Sequence, residues 1–333
     1  MKSIVASNGA VHILESESPV IKPSFLLIKT LFSAVSPGTE IGLVGNSKDR
    51  DITLGYSAVG IVEECGENVS NYRVGDLVAC YGAPYVGHSE YLLVPTTLCA
   101  KVPPNVEPKQ ASLAGIGAIA IHALRVAKLE FGETVVVVGL GLLGQMIAKI
   151  ANAAAFNVVA LDIQEERVSM LQQEGIRSFT SISEMEAEII KSTQKQGADA
   201  VLLCAGGKRS TLTHQSLSWI KNQGKVVIVG DIEPDFPREI MFAKEAQILI
   251  SRAGGPGRYD QRYELQAMDY PYGYVRWTEG RNVAEYLRLV NENRINVQPF
   301  ITEIVDFDSA PLAYEDLINK QSQILTSIIA YNK

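Results

Sequence analysis

Three glycines at fixed spacing are the residues of this chain best suited to chemistry. Val135-Val136-Val137-Val138-Gly139-Leu140-Gly141-Leu142-Leu143-Gly144 is a β-branched run entering G-x-G-x-x-G and then a helical pattern. Gly139 makes the tight turn, Gly141 lets a pyrophosphate approach the backbone, and Gly144 lets strand and helix pack closely. The helix directs unpaired N–H groups, those of Leu142 and Leu143 among them, and a partial positive charge at the phosphates. A second strand ends at Asp162, placed to accept hydrogen bonds from the adenosine ribose; the plainer alternative is a glycine-rich turn beside an unrelated exposed aspartate. A carboxylate there repels a 2′-phosphate, and Ile163-Gln164 brings no cation beside it, so NAD is expected over NADP. Arg167, one helical turn on, softens that preference or is a solvated helix residue.

These residues need a covered sheet to hold them. Thr134–Val138, Asn157–Leu161, Ala198–Cys204 and Lys225–Val229 read as strands, with helices at Leu143–Ala155 and Glu165–Glu174 and a helix end at Lys191–Gln196. Apolar strands alternating with helices predict a doubly wound parallel sheet. Before it, Gln110–Lys128 reads as one buried helix. The first hundred residues carry short strand-like runs (Phe25–Leu31, Ala58–Glu64, Leu77–Tyr81, Ser89–Val94) between turn signals such as Pro37-Gly38 and Gly66-Glu67-Asn68. After Leu249–Arg252 come a Tyr- and Gly-rich stretch, a helix at Val283–Asn291, a strand at Ile301–Val305 and a helix at Ala310–Asn319. The economical architecture is a β-rich domain completed by the C-terminal stretch, with an α/β domain inserted.

The bulk properties agree. At 333 residues, 47% hydrophobic and 20% charged, the chain has material for two domains and is not disordered. A net charge of -7 argues against nucleic-acid or anionic-membrane partners. Cys65, Cys80, Cys99 and Cys204 are too dispersed for a disulfide framework. The N-terminus lacks a signal-peptide apolar region and no stretch reaches the roughly 20 apolar residues of a membrane span, so a cytoplasmic location is expected.

At this point the residues resemble a family. Gly55-Tyr56-Ser57-Ala58-Val59-Gly60-Ile61-Val62, Val74-Gly75-Asp76-Leu77-Val78, Glu90-Tyr91, Gly132-Glu133, Pro299-Phe300-Ile301-Thr302 and Ala313-Tyr314-Glu315 resemble the medium-chain dehydrogenase/reductase superfamily. Ser36-Pro37-Gly38-Thr39-Glu40 and the helix at Ala118–Arg125 look closest to its bacteriochlorophyllide a dehydrogenase-like and sugar 3-dehydrogenase-like members. The resemblance implies a GroES-like β-rich catalytic domain (1–116 and 255–333), a Rossmann NAD-binding domain (117–254), and a homodimer or homotetramer. It places Cys204, Ala205, Val229 and Gly230 on the nicotinamide side, with Arg252 among the cofactor-binding residues. Many members hold a catalytic zinc. Here the three ligand positions fall at Ser36, Tyr56 and near Ala114, none a thiolate or imidazole, and the four-cysteine structural lobe is missing, so no zinc is expected. An improvised site from Glu40, His88 and Glu90 is the alternative.

Without a metal, a side chain must move the carbinol proton. Tyr56 is placed to face the substrate or merely fills space. His88 titrates in a useful range or is a structurally hydrogen-bonded loop histidine. Glu40 acts through charge or pairs with an arginine such as Arg252, and Ser36 and Thr39 can relay a proton. His12, His122 and His214 are poorer candidates. Residues 254–282 interleave Tyr259, Tyr274 and Trp277 with Arg276 and other charges, which suits a polyol ring or, equally, an oligomer interface. The expected activity is NAD-dependent interconversion of a secondary alcohol and a ketone on a sugar, cyclitol or glycoside. A zinc-free quinone or enoyl reductase and a non-catalytic dinucleotide-binding protein are the alternatives.

Overall fold

A computed structural model describes residues 1–48, 50–208, 210–319 and 324–331. The chain divides into two units, Met1–Ala118 with Gly254–Lys333, and Ile119–Ala253.

The second unit is built on six strands in the order Arg177–Phe179, Asn157–Leu161, Thr134–Val138, Ala198–Leu203, Ile220–Ile228, Gln247–Ile250. Every neighbouring pair is parallel. The middle strands are buried along their length, which is why their sequences are apolar without alternation. The order reverses between Thr134–Val138 and Ala198–Leu203, where a doubly wound sheet opens a crevice beyond its carboxyl ends. The third strand, Arg177–Phe179, is too short to stand out in the sequence, and the fifth begins at Ile220, earlier than Lys225, through a polar half-exposed stretch.

The first unit is β-rich. A three-stranded antiparallel sheet joins Ala10–Glu15, Lys2–Ser7 and Ile52–Thr53. A larger sheet runs Glu303–Asp306, Ser327–Ala330, Phe25–Ala34, Ser57–Cys65, Leu77–Tyr81, Cys99–Lys101, with Tyr91–Pro95 also pairing onto Phe25–Ala34. The C-terminal return thus adds strands directly to the N-terminal sheet, Ile328 opposite Ala34.

Two local expectations are corrected. Pro37-Gly38 is not a turn but the start of a helix, Pro37–Gly45, because proline at the first helical position costs no hydrogen bond. Gln110–Lys128 is two helices, Pro108–Ala111 and Ala114–Ala127. The break lies at Ser112, whose hydroxyl bonds back to the Lys109 carbonyl at 2.7 Å.

The glycine turn shows what positions the sheet against its first helix, Leu142–Ala153. A Cβ on Gly144 would stand 1.8 Å from the Gly139 carbonyl oxygen, whereas one on Gly141 would meet nothing within 4 Å. Gly144→Ala is therefore expected to lower unfolding stability by about 1–3 kcal/mol, while Gly141→Ala leaves it unchanged. Thermal denaturation of both variants checks the contrast.

Candidate active site

In the second unit the expected cofactor residues converge at the carboxyl ends of the strands. Gly139, at φ +91°, turns the chain out of Thr134–Val138, and its missing Cβ leaves room for the Ala205 backbone, 2.6 Å from where that atom would be. Gly230 does the same against the carbonyls of Cys204 and Ala205, at 2.5–2.6 Å. The amides of Cys204 and Ala205 donate to the Val138 carbonyl, and those of Val229 and Gly230 to Leu203, so all four residues flank the turn. Gly141 caps a helix whose first amides, including those of Leu142 and Leu143, have no intrahelical acceptor. The open space at Gly141 lies beside them and fits a diphosphate. Burial pushes the Cys204 thiol up to about 12, which disfavours its thiolate.

Asp162 is buried and committed to the turn. Its Oδ2 accepts from the Leu140 amide at 2.5 Å and its Oδ1 from the Gln164 amide at 2.9 Å. Arg167 is not a solvated helix residue: its Nη1 lies 3.5 Å from Asp162 Oδ2, so a cation does stand beside the carboxylate. Helix Glu165–Gln172 begins right after Asp162 and brings position 167 back over it. Ile163, 89% exposed, offers an apolar face alongside. Arg252 is exposed at the end of this unit.

In the first unit the structure corrects two expectations. His88 does not lie at an open edge; it and Glu40 are both 0% exposed. His88 Nε2 is 3.0 Å from Glu40 Oε2, and His88 Nδ1 is 2.7 Å from Ser33 Oγ, which in turn meets the Tyr331 hydroxyl at 2.9 Å. Glu40 Oε2 also accepts from the Tyr314 hydroxyl, and Oε1 from the Ser36 amide at 2.7 Å. The partner that Glu40 meets is a histidine rather than an arginine, and the His88 and Tyr314 rings are sealed into the core while Tyr331 is half-buried. Thr39 occupies the helix turn beside them.

Tyr56 is placed differently. It is half-buried, it donates to Ser36 Oγ at 2.7 Å, and its ring meets Tyr81 edge-on with centroids 5.9 Å apart. Burial, partly offset by the Ser36 hydrogen bond, pushes its phenol up to about 12. Of the positions the resemblance assigns to zinc ligands, Ser36 and Tyr56 bond to each other and Ala114 is a buried methyl. These residues do not fit a zinc ion. Glu90 is turned away from Glu40 and His88, accepting from the Lys2 amide at 2.6 Å, and no group of three or more His, Cys, Asp or Glu among the described residues is placed to hold a metal.

The stretch from Gly254 to Asn282 splits into two faces. Tyr274 is 90% exposed, and the exposed Arg276 stacks between Tyr272 and Trp277, 4.2 and 3.6 Å from their ring centres. Tyr259 is over half exposed beneath the Arg258 guanidinium at 4.2 Å. The inward face consists of Arg258, Tyr263, Glu264 and Glu279, of which all but Glu264 belong to the interleaved aromatic and charged residues of this segment. Glu279 opens helix Glu279–Asn291 after Thr278, a pattern that reads as a solvated helix-start acid, so only its burial reveals it. This helix therefore begins four residues before the expected Val283.

The Glu40–His88 pair generates a prediction. Removing one member strands the other in the core, so His88→Ala is expected to cost about 3–5 kcal/mol of stability. Denaturant unfolding measures this, and a variant as stable as the parent contradicts the buried network.

The family described as the alcohol dehydrogenase GroES-like domain matches residues 23–104, and that described as zinc-binding dehydrogenase matches residues 139–268. The chain is 26% identical over 317 residues to D-xylulose reductase of Saccharomyces cerevisiae, covering 84% of this chain and 82% of that protein. It is 26% identical over 281 residues to D-guloside 3-dehydrogenase of Escherichia coli, covering 81% and 75% respectively. Alcohol dehydrogenase TADH from Thermus sp. ATN1 shares the fold, with a TM-score of 0.81 at 23% identity over 100% of both chains. No helix among the described residues is long and apolar enough to cross a membrane. With both family matches falling on the two units in the order the β-rich and parallel sheets occur, the chain belongs to the alcohol dehydrogenase-like medium-chain dehydrogenase/reductase superfamily.

Proposed function

We propose that this protein is an oxidoreductase that interconverts a secondary alcohol and a ketone on a polyol-like small molecule, using NAD(H) and no catalytic zinc. The observation that carries this reading is the pairing of an intact dinucleotide turn with a hydroxyl pair, Tyr56–Ser36, where the superfamily places metal ligands. The polyol class is supported by the D-xylulose reductase and D-guloside 3-dehydrogenase relatives.

When bound, the nicotinamide supplies the hydride acceptor or donor. Gly139, Gly141 and the first amides of Leu142–Ala153 would hold its diphosphate, and Asp162 the adenosine ribose. Asp162 also holds the turn itself through Leu140, so preference for NAD and the shape of the turn share one carboxylate. Arg167 beside it reduces, without cancelling, the repulsion of a 2′-phosphate. Cys204, Ala205, Val229 and Gly230 would line the nicotinamide side. Tyr56, protonated at neutral pH, would turn its O–H from Ser36 Oγ to the substrate oxygen, with the Ser36 and Thr39 hydroxyls then donating to the phenolic oxygen. Tyr259 and Trp277 offer aromatic faces to a sugar ring; Tyr274 and Arg276 lie on the surface, where the Tyr272–Arg276–Trp277 stack equally suits contact with a second copy in a homodimer or homotetramer.

Four outcomes test the reading. Purified protein with NAD+ should reduce the cofactor with at least one of xylitol, galactitol, myo-inositol or a methyl glycoside, and none doing so overturns it. Turnover should survive prolonged chelation. Tyr56→Phe should lower kcat by about 10²–10⁴-fold with unchanged NAD affinity, and Gly141→Ala should weaken NAD binding by about tenfold in fluorescence titration.

A further inference from the structure

Closing the Glu40–His88 pair into the core removes the two ordinary bases of the first unit, and Tyr56 stays protonated at neutral pH, so the carbinol proton still needs an acceptor. Glu279 has the properties of one. It is 0% exposed, and among the described residues it is the one carboxylate with both oxygens buried and without a hydrogen-bond partner. An acid at a helix start ordinarily sits in water; here the Glu279 amide is tied to the Pro256 carbonyl at 2.9 Å and the side chain turns inward.

Its surroundings are specific. Arg258 Nε lies 4.0 Å from Oε1, but the guanidinium commits Nη1 to Glu264 at 2.5 Å and Nη2 to the Ala83 carbonyl. Arg258 thus lends charge to Glu279 without bonding it. The Tyr81 hydroxyl and the Gly254 backbone approach the carboxylate without closing a full hydrogen bond. A Cβ on Gly254 would stand 2.6 Å from Tyr81 Cε1 and 3.2 Å from Glu279 Oε1, so glycine is what lets the three groups meet. Tyr81 in turn touches Tyr56 edge-on. Contacts therefore run unbroken from Ser36 through Tyr56 and Tyr81 to an unsatisfied carboxylate.

We propose that Glu279 holds the substrate proton for this site, receiving it through the Tyr81 hydroxyl during oxidation and returning it during reduction. The inference rests on the function proposed above. In oxidation the carbinol O–H bond breaks and its proton passes to the Tyr81 oxygen as the Tyr81 proton passes to the Glu279 carboxylate. The carbinol carbon would give its hydride to the nicotinamide when that is bound, and the oxygen's freed pair would complete the C=O bond. Reduction runs the same transfers backward. Glu279 acts through Tyr81 and is a positioning residue. Burial pushes its carboxyl up to about 8, with Arg258 opposing and Glu264 adding to the rise; Tyr81 and Tyr263 are the other titratable groups facing it. The carboxylate form, which accepts the proton, gains population as pH rises through that value.

The pH dependence of kcat/KM for oxidation, with NAD+ and whichever of xylitol, galactitol or myo-inositol the wild type turns over, tests this. The wild type should gain about tenfold between pH 7 and 9. Glu279→Gln should flatten that limb and lower kcat at least tenfold with KM little changed, Tyr81→Phe should do the same, and Glu279→Asp should restore a limb. A wild-type limb retained in Glu279→Gln, or a flat profile in an active wild type, overturns the inference and leaves the proposed function standing. Turnover of no polyol overturns both. If Glu279→Gln does not fold, Tyr81→Phe and an infrared titration of the wild-type carboxylic C=O band decide. A midpoint coinciding with the kinetic limb supports the assignment, and a midpoint elsewhere rejects it.

Discussion

The first unit is organised around a carboxylate that has no water. Glu40 satisfies both oxygens with the Ser36 amide, His88 and Tyr314, groups from the first helix, the loop before Tyr91–Pro95 and the helix Ala310–Asn319. A buried charge is tolerated only when its partners are in place, so these elements are fixed relative to one another within the unit. One local effect reaches the candidate site. Glu40 accepts the amide of the N-cap residue Ser36, while the Ser36 hydroxyl makes no cap bond to the helix amides. It is instead available to receive Tyr56.

The second unit solves a different problem, that of packing a strand, a turn and a helix start closely enough to leave the first helix amides open. Gly139, Gly144 and Gly230 remove side chains so that strands, turn and helix can approach within van der Waals limits. Gly141 removes one so that something else can approach. Asp162 closes the arrangement by bonding the turn at Leu140, with Arg167 balancing its charge. On the proposed function, recognition of the ribose and rigidity of the turn would be carried by the same side chain.

Much of this was legible in the sequence. The strands Thr134–Val138 and Asn157–Leu161 and the helix Ala310–Asn319 fall where β-branched runs and 3.6-residue periodicity place them, because burial on both faces, or on one, leaves a direct imprint on residue type. The β-rich and doubly wound architecture followed from that alternation. What failed to show was long-range pairing of polar groups. Gly87-His88-Ser89-Glu90 looks like a reactive loop in one dimension, yet its histidine is consumed by Ser33 and Glu40, residues 55 and 48 positions away. Arg167 reads as a surface residue until its helix is seen to fold back over Asp162. Glu279, following a helix-capping threonine, carries every sign of a solvated acid, and nothing local says that Tyr81 and Arg258 enclose it.

The partners of the buried Glu40 network also bear on how the protein is made. Tyr314 and Tyr331 are contributed by the last stretch of chain, whereas Ser33, Ser36, Glu40 and His88 come from the first hundred residues. On the ribosome, the early residues must wait, their charge solvated, until some three hundred residues have been translated. The inserted parallel sheet, Ile119–Ala253, has all its strands in hand well before that. The sheet of the β-rich unit therefore stays incomplete until its C-terminal strands, Glu303–Asp306 and Ser327–Ala330, have been made, which leaves the Phe25–Ala34 edge unpaired in the meantime.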